Sequence, residues 1–344
     1  MESPRDESAG AVIWPKAGGV SRCVGSVSLG ESTVCVPRRF GVAPPVTSGP
    51  SRSSTEQDSN YARGWPIAGH HRKGIALWHF RETGSGPPLV LLHGIGMSNA
   101  AWSAVTPYLE STRRVIAFDI AGFGSTPALP GGTPPTIPNL VDGLDRSIRE
   151  LGLEIPVDLA GNSLGGTMAL EAATRGIART VVAISPACLW RKHGAAHVPI
   201  VFHGLRVMAA HFRGLLKTVV QNPWLREVAL AVPISVGSRR MHVDDACRAV
   251  DDLARATAFE ATFDSTRSPF SAHAIAVPVT VAFGDRDWIL TKGSRLKSAL
   301  PSHARWVEKR GWGHSPMWVD PAGVAELILE GTRCEASEWG QTWV

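Results

Sequence analysis

Ten residues constrain this chain more than any others: Val157-Asp158-Leu159-Ala160-Gly161-Asn162-Ser163-Leu164-Gly165-Gly166. A short apolar run ends in Gly-x-Ser-x-Gly, and a helix-compatible run from Thr167 to Ala173 follows at once. A serine carried on a sharp strand-to-helix turn sits in a strained backbone conformation, so small residues are required two positions before and two after it. Gly161 and Gly165 fill those places, and Gly166 lets the helix pack close to the sheet. Such a turn lifts the Ser163 hydroxyl clear of the strands and sets the positive end of the helix beneath it. Ser163 is therefore the candidate nucleophile.

A serine hydroxyl is a weak nucleophile until a histidine takes its proton and a carboxylate orients that histidine. In strand–turn–helix architectures of this kind the partners follow in the order Ser, Asp or Glu, His. The run Val277 to Phe283 reads as a buried strand, and Gly284-Asp285-Arg286-Asp287 follows it. Ala304 to Val307 reads as a second strand, followed by Gly311-Trp312-Gly313-His314-Ser315-Pro316. Each candidate lies just past the end of a strand, where open parallel sheets gather their functional residues. His314 is the candidate base, whereas His303 precedes that strand and His70, His71 and His79 precede the core of the sheet. Spacing along the strand leaves both Asp285 and Asp287 open as the acid.

Together these motifs resemble the α/β-hydrolase family, from about Ile75 to Glu330. His93-Gly94 after the strand Leu89 to Leu92 is similar to that family's oxyanion loop, and Asp119-x-x-Gly122-x-Gly124-Ser125 to the turn after its next strand. The resemblance implies a doubly wound, mostly parallel sheet with an inserted helical cap, and a Ser163–His314–Asp287 triad. The family's spacing from Gly284 selects Asp287, leaving Asp285 to bind backbone amides in the turn or to pair with an arginine. It implies an oxyanion hole from the backbone amides of Leu164 and Ile95, a bracing role for His93, and a structural role for Asp119.

The rest of the chain fits that architecture. Gly74 to Phe80, Arg114 to Asp119 and Thr180 to Ser185 read as strands, and Glu82 to Pro88 as a turn. Asn99 to Leu109 reads as a helix with Trp102, Val105 and Leu109 on one face. Asn139 to Leu151 reads as another, with Leu140, Leu144, Ile148 and Leu151 at helical spacing. Strand–helix alternation of this kind argues for a parallel sheet covered on both faces. It stops at Pro186 and resumes at Val277. Between them lie helical stretches near 201–220 and 244–263, on the interval that would project over the serine. Residues 1–66, dominated by Ser, Gly, Pro and Arg, read as a disordered extension. The expected organisation is thus core 67–186, helical cap 187–272, core 273–330 and a tail 331–344. Trp190, Phe202, Met208, Phe212, Trp224 and Phe259 are cap residues that either line a pocket or form the cap's own core.

The formal charge is +5, and residues 187–270 hold 11 Lys/Arg against 7 Asp/Glu. That excess suits solvated helix faces, and it would also attract an anionic substrate or a membrane surface. The basic residues are dispersed and no binding motif accompanies them, so no nucleic-acid partner is expected. No run of about 18 apolar residues offers a transmembrane segment. The five cysteines lack Cys-x-x-Cys pairs. With no basic and apolar leader pattern, this suits a reduced cytoplasm. No metal and no cofactor is expected. The oligomeric state is left open.

The reaction class implied is acyl transfer through an acyl-serine. The leading reading is hydrolysis of a carboxylic ester or lactone of a moderately apolar small molecule. Epoxide hydrolases and haloalkane dehalogenases of this family carry an aspartate at the turn, and Ser163 argues against both. One alternative is a carbon–carbon bond hydrolase of the meta-cleavage type, whose turn resembles Gly161 to Gly166. Against it, His93-Gly94-Ile95-Gly96-Met97 lacks that group's Gly-Pro-Gly, and Ser315 stands where tryptophan is usual. A further alternative is a catalytically weak ligand-binding protein of the same fold, whose mark would be a missing triad member.

Overall fold

Seven strands form one sheet in the order β1-β3-β2-β4-β5-β6-β7. They are β1 (Phe80–Thr83), β2 (Pro88–Leu92), β3 (Arg114–Phe118), β4 (Val157–Asn162), β5 (Ala178–Ile184), β6 (Val279–Gly284) and β7 (Arg305–Lys309). Only β1 runs antiparallel, pairing Phe80 with Phe118 and Thr83 with Val115. All other neighbours are parallel. This computed structural model describes residues 77–189, 197–265, 270, 272 and 274–333. The expected extension 1–66, the start of the expected first strand and most of the tail lie outside the described residues.

The central strands are apolar on both faces because helices cover both. Successive side chains of a strand point to opposite sides. Thus Val90 and Leu92 join one core with helix α1 (Ile137–Glu150) and helix α2 (Leu164–Thr174), through Leu140, Leu144, Ile148 and Met168. Leu89 and Leu91 join the opposite core with Trp102, Val105, Leu109 and helix α8 (Pro321–Gly331), through Val324, Leu327 and Ile328. The Thr136 hydroxyl caps α1 by accepting from the Asn139 amide.

Two expectations need correction. The stretch 99–109 is not one helix but two 3₁₀ turns, Asn99–Trp102 and Thr106–Tyr108. Pro107 has no N–H to continue a helix and disfavours helical backbone at the residue before it. Trp102, Val105 and Leu109 are nonetheless fully buried together. The first strand runs later than expected, to Thr83, because its pairing with β3 carries it into the stretch read as a turn. The reversal is confined to Gly84–Gly86; at Gly84 (φ 75°) a Cβ would lie 2.3 Å from the Arg113 carbonyl oxygen.

At the end of the sheet remote from Ser163, a buried ionic cluster ties strands together. Asp158 on β4 is fully buried and accepts from Arg179 Nε at 2.9 Å, Arg179 Nη2 at 2.6 Å and Thr180 Oγ1 at 2.8 Å. Arg113 Nη2 also donates to it, while Arg113 Nη1 donates to Thr332 Oγ1 at 2.8 Å. Removing one partner of such a pair leaves a buried charge uncompensated. Asp158→Ala is therefore expected to lower stability by about 3–5 kcal/mol, measured by urea unfolding. A loss below about 1 kcal/mol would mean that water replaces the carboxylate.

Among the described residues, five helices stand between β5 and β6: α3 (His197–His211), α4 (Arg213–Gln221), α5 (Pro223–Leu230), α6 (Val243–Arg255) and α7 (Phe259–Ser265). The expected stretches 201–220 and 244–263 each prove to be two helices. The inserted segment packs on the loops at the C-terminal edge of the sheet. A Cβ at Gly96 would come within 2.7 Å of Leu253 Cδ1 and 3.2 Å of the Phe259 ring, and one at Gly122 within 2.1 Å of Ala258 Cβ.

Candidate active site

Ser163 closes β4 and precedes α2 with φ 52° and ψ −112°, a left-handed conformation that a serine adopts only under constraint. The glycines on either side permit it. A Cβ at Gly161 would lie 2.2 Å from the Gly165 carbonyl oxygen, and one at Gly165 would lie 2.2 Å from that of Leu92. The turn thus holds the serine hydroxyl at the sheet edge, against the first turn of α2.

His314 lies 151 residues further on, yet its Nε2 is 3.0 Å from Ser163 Oγ. Its Nδ1 is 3.1 Å from Asp287 Oδ2. All three are buried, with His314 and Asp287 each 3% exposed. The other carboxylate oxygen of Asp287 accepts from the amides of Ile289 at 3.0 Å and Leu290 at 2.9 Å. Burial alone would push this carboxyl up. The charge and hydrogen bond of His314, the Leu290 amide and the Arg295 guanidinium outweigh that and hold it below the ordinary carboxylate range. The structure therefore brings Asp287 to the histidine. Asp285 is exposed and accepts from the Gly311 amide at 2.6 Å, closing the turn after β7 as an amide binder.

The histidine loop is clamped by groups that sequence reading did not single out. Asn162 Nδ2 donates to the His314 carbonyl at 2.9 Å, and Ser315 Oγ donates to Asn162 Oδ1 at 2.9 Å. From the inserted segment, Ser235 Oγ accepts from the Gly313 amide at 2.9 Å, and the Ile234 carbonyl accepts from the Ser315 amide at 2.8 Å. Arg295 braces the acid loop by donating to the carbonyls of Leu290 and Asp287 while lying over the Phe283 ring. Asn162 was legible as a polar residue inside the serine turn. Ser235 and Arg295 carried no signal, because only the fold sets them beside the loops they hold.

The loop after β2 passes directly over the serine. A Cβ on Gly94 would lie 3.5 Å from Ser163 Cβ, and the His93 carbonyl accepts from the Gly165 amide at 3.1 Å. Ile95 is the next residue of this loop. Leu164 opens α2, where N–H groups have no carbonyl one turn earlier within the helix. His93 is fully buried, and burial lowers its pKa, so it stays neutral. Its Nε2 accepts from the Ile120 amide at 3.0 Å, which puts the proton on Nδ1, facing the Gly94 carbonyl at 2.7 Å. With both nitrogens engaged, His93 is a brace. Asp119 likewise accepts from the amides of Asn99 and Ser125 and from His79. The buried thiol of Cys188 is pushed up to about 12 by desolvation, so it is no competing nucleophile.

Among the side chains weighed as pocket lining, Phe202 and Phe259 are buried and pack with Phe263. Met208, Phe212 and Trp224 are instead 39%, 50% and 67% exposed, so they do not form the cap's core. The inward residues of α3 are Val198, Phe202 and Ala209, and that spacing turns Met208 outward. Trp190 lies outside the described residues.

One further carboxyl sits above the loop after β2. Asp252 on α6 accepts from Ser98 Oγ at 2.5 Å, and burial pushes it up to about 6, helped by the charges of Asp119 and Asp251 against the pull of Ser98 and Arg248. The folded protein thus keeps this proton to higher pH than the unfolded chain, which releases it near about 4. Stability therefore falls as pH rises from about 4 to 6 and stays lowered above that. Asp252→Asn is expected to remove this slope and to raise stability at pH 8 by about 2–3 kcal/mol, read from urea unfolding at both ends of the window. An unchanged slope in the variant would assign the titration to another group.

The comparisons show the family and the fold. The family model of the alpha/beta hydrolase family matches residues 89–327. A pimeloyl-(acyl-carrier protein) methyl ester esterase of Aromatoleum aromaticum is 32% identical over 270 residues, covering 72% of this chain and 98% of that protein. The epoxide hydrolase EphH of Mycobacterium tuberculosis is 30% identical over 199 residues, 55% of this chain and 91% of that one. Among solved structures, the naproxen esterase of Bacillus subtilis superposes with a TM-score of 0.59 at 19% identity, over 82% of this chain and 99% of that one. The chain is an enzyme of the alpha/beta hydrolase family.

Proposed function

We propose that this protein is a serine hydrolase that cleaves a carboxylic ester or lactone of a moderately apolar small molecule. The observation that carries the reading is the hydrogen-bonded line from Ser163 Oγ through His314 to Asp287, at 3.0 and 3.1 Å. In the reaction, His314 Nε2 takes the Ser163 proton as Oγ bonds to the substrate carbonyl carbon. Asp287 steadies the imidazolium that results. The amides of Leu164 and Ile95 receive the negative oxygen of the tetrahedral intermediate, each worth about 3 kcal/mol. Collapse breaks the bond to the leaving alcohol, which takes the proton from His314. Water, deprotonated by His314, then attacks the acyl-serine and regenerates the hydroxyl. The inserted helices over residues 187–272 act as a cap that keeps other water away.

The Aromatoleum relative, named for a methyl ester, supports an ester as the bond. Epoxide opening in this family calls for a carboxylate at the turn, where this chain has Ser163. The test pairs a fluorophosphonate probe with a panel of p-nitrophenyl esters of varied acyl length, lactones and a vinylogous diketone. Labelling of Ser163 with ester or lactone turnover is the expected result. Turnover of the diketone alone would make the enzyme a carbon–carbon hydrolase. Absence of labelling would make it a ligand-binding member of the fold.

A further inference from the structure

The inserted segment carries a surface that the reaction does not use. Nine large apolar side chains are exposed among the described residues, and eight of them fall between Ile200 and Val228, the exception being Trp288. Ile200 is 75% exposed, Trp224 67% and Val228 79%. They belong to α3, α4 and α5, whose inward positions are filled by other residues such as Phe202, Val220 and Leu230. Side chains of this size and exposure, grouped on consecutive helices, mark an interaction surface.

The charge of the same stretch is one-sided. Residues 197–240 hold six Lys/Arg and one acid, a net of +5 that equals the formal charge of the whole chain. The one acid, Glu227, is half-buried and accepts from the amides of Gly237 at 2.7 Å and Arg239 at 2.9 Å. Arg213 and Lys217 pair with Asp251 of α6. Arg206 and Arg226 direct their N–H groups to backbone carbonyls. Arg239 lies 5.4 Å from the Trp224 ring centre, and Arg240 is exposed beside it. Trp and aliphatic side chains interleaved with arginine on short helices are what an interfacial, lipid-facing helix presents. A second copy of the chain would set this positive face against itself, which like-charge repulsion disfavours.

We propose that the outer face of α3, α4 and α5 docks on an anionic lipid bilayer, with Trp224 and Val228 entering the headgroup region and Arg239 and Arg240 meeting acidic headgroups. This holds whatever bond the enzyme cleaves. The test is co-sedimentation of the full chain with phosphatidylcholine vesicles, with and without roughly one-third phosphatidylglycerol, at low and high salt. We expect partition into the acidic vesicles to exceed that into neutral ones by about tenfold and to weaken with salt. Trp224→Glu with Val228→Glu, and separately Arg239→Glu with Arg240→Glu, should each lower it by about tenfold. All four positions are on the surface, so an unchanged melting temperature read by circular dichroism serves as the check on folding. Equal partition into both vesicle types, or partition unchanged in both double variants, overturns the proposal. So does a dimer in light scattering that Val228→Glu dissociates, since a second copy would then cover the face.

Discussion

Ser163→Ala and His314→Ala are each expected to abolish nearly all turnover while leaving the fold intact. The hydroxyl and the imidazole are two ends of one hydrogen bond of 3.0 Å. Losing either removes the only path by which the nucleophile sheds its proton. Groups that act as a unit are far from additive, and the loss on either single change is on the order of 10⁶ in kcat. The double variant should be little worse than either one. Neither side chain is a large part of the core, so melting temperatures should change little. Steady-state rates on the best ester from the panel, with burst titration to count active sites, provide the measurement. If Ser163→Ala keeps a tenth of the wild-type rate, another group is the nucleophile.

The next largest effect concerns the acid. Asp287→Asn is expected to lower kcat by roughly 10⁴, because an amide in place of the carboxylate favours the wrong imidazole tautomer and leaves the imidazolium unsupported. Asp285→Asn should lower it less than tenfold. Asp285 is exposed and touches the Gly311 amide, and an asparagine oxygen can still accept that hydrogen bond. Its effect should appear in stability, at about 1 kcal/mol or less. A pH profile separates the two. Loss of the Asp287 carboxylate should weaken the base limb of catalysis, whereas loss of Asp285 should leave the profile's shape alone. A greater rate loss from Asp285→Asn would contradict the geometry.

Much of this site is legible in the sequence. Gly161 and Gly165 announce a turn that only small residues allow, and the clashes a Cβ would make there explain why. His314 and the acid were legible from their place just past strands β7 and β6. The misreadings share a cause. Pro107 broke a helix whose apolar pattern was otherwise right, since periodicity reports which side chains are buried and not which backbone carries them. Met208, Phe212 and Trp224 are apolar yet exposed, because composition does not say which way a helix turns.

The sequence by itself determined the strand–helix alternation, the serine turn and the order in which the candidate acid and histidine follow it. These are local properties: apolar runs, glycine at a strained φ, and a residue's distance from the end of a strand. The resemblance already selected Asp287 through its spacing from Gly284, and the tertiary structure supplied the geometry: Asp287 faces His314, whereas Asp285 faces the Gly311 amide. The tertiary structure alone placed Ser235 against Gly313 and Asn162 against the His314 carbonyl. It alone left eight large apolar side chains of the inserted segment exposed. Contacts between residues tens to more than a hundred positions apart depend on how the sheet and its insertion close on each other, and no local pattern encodes that closure.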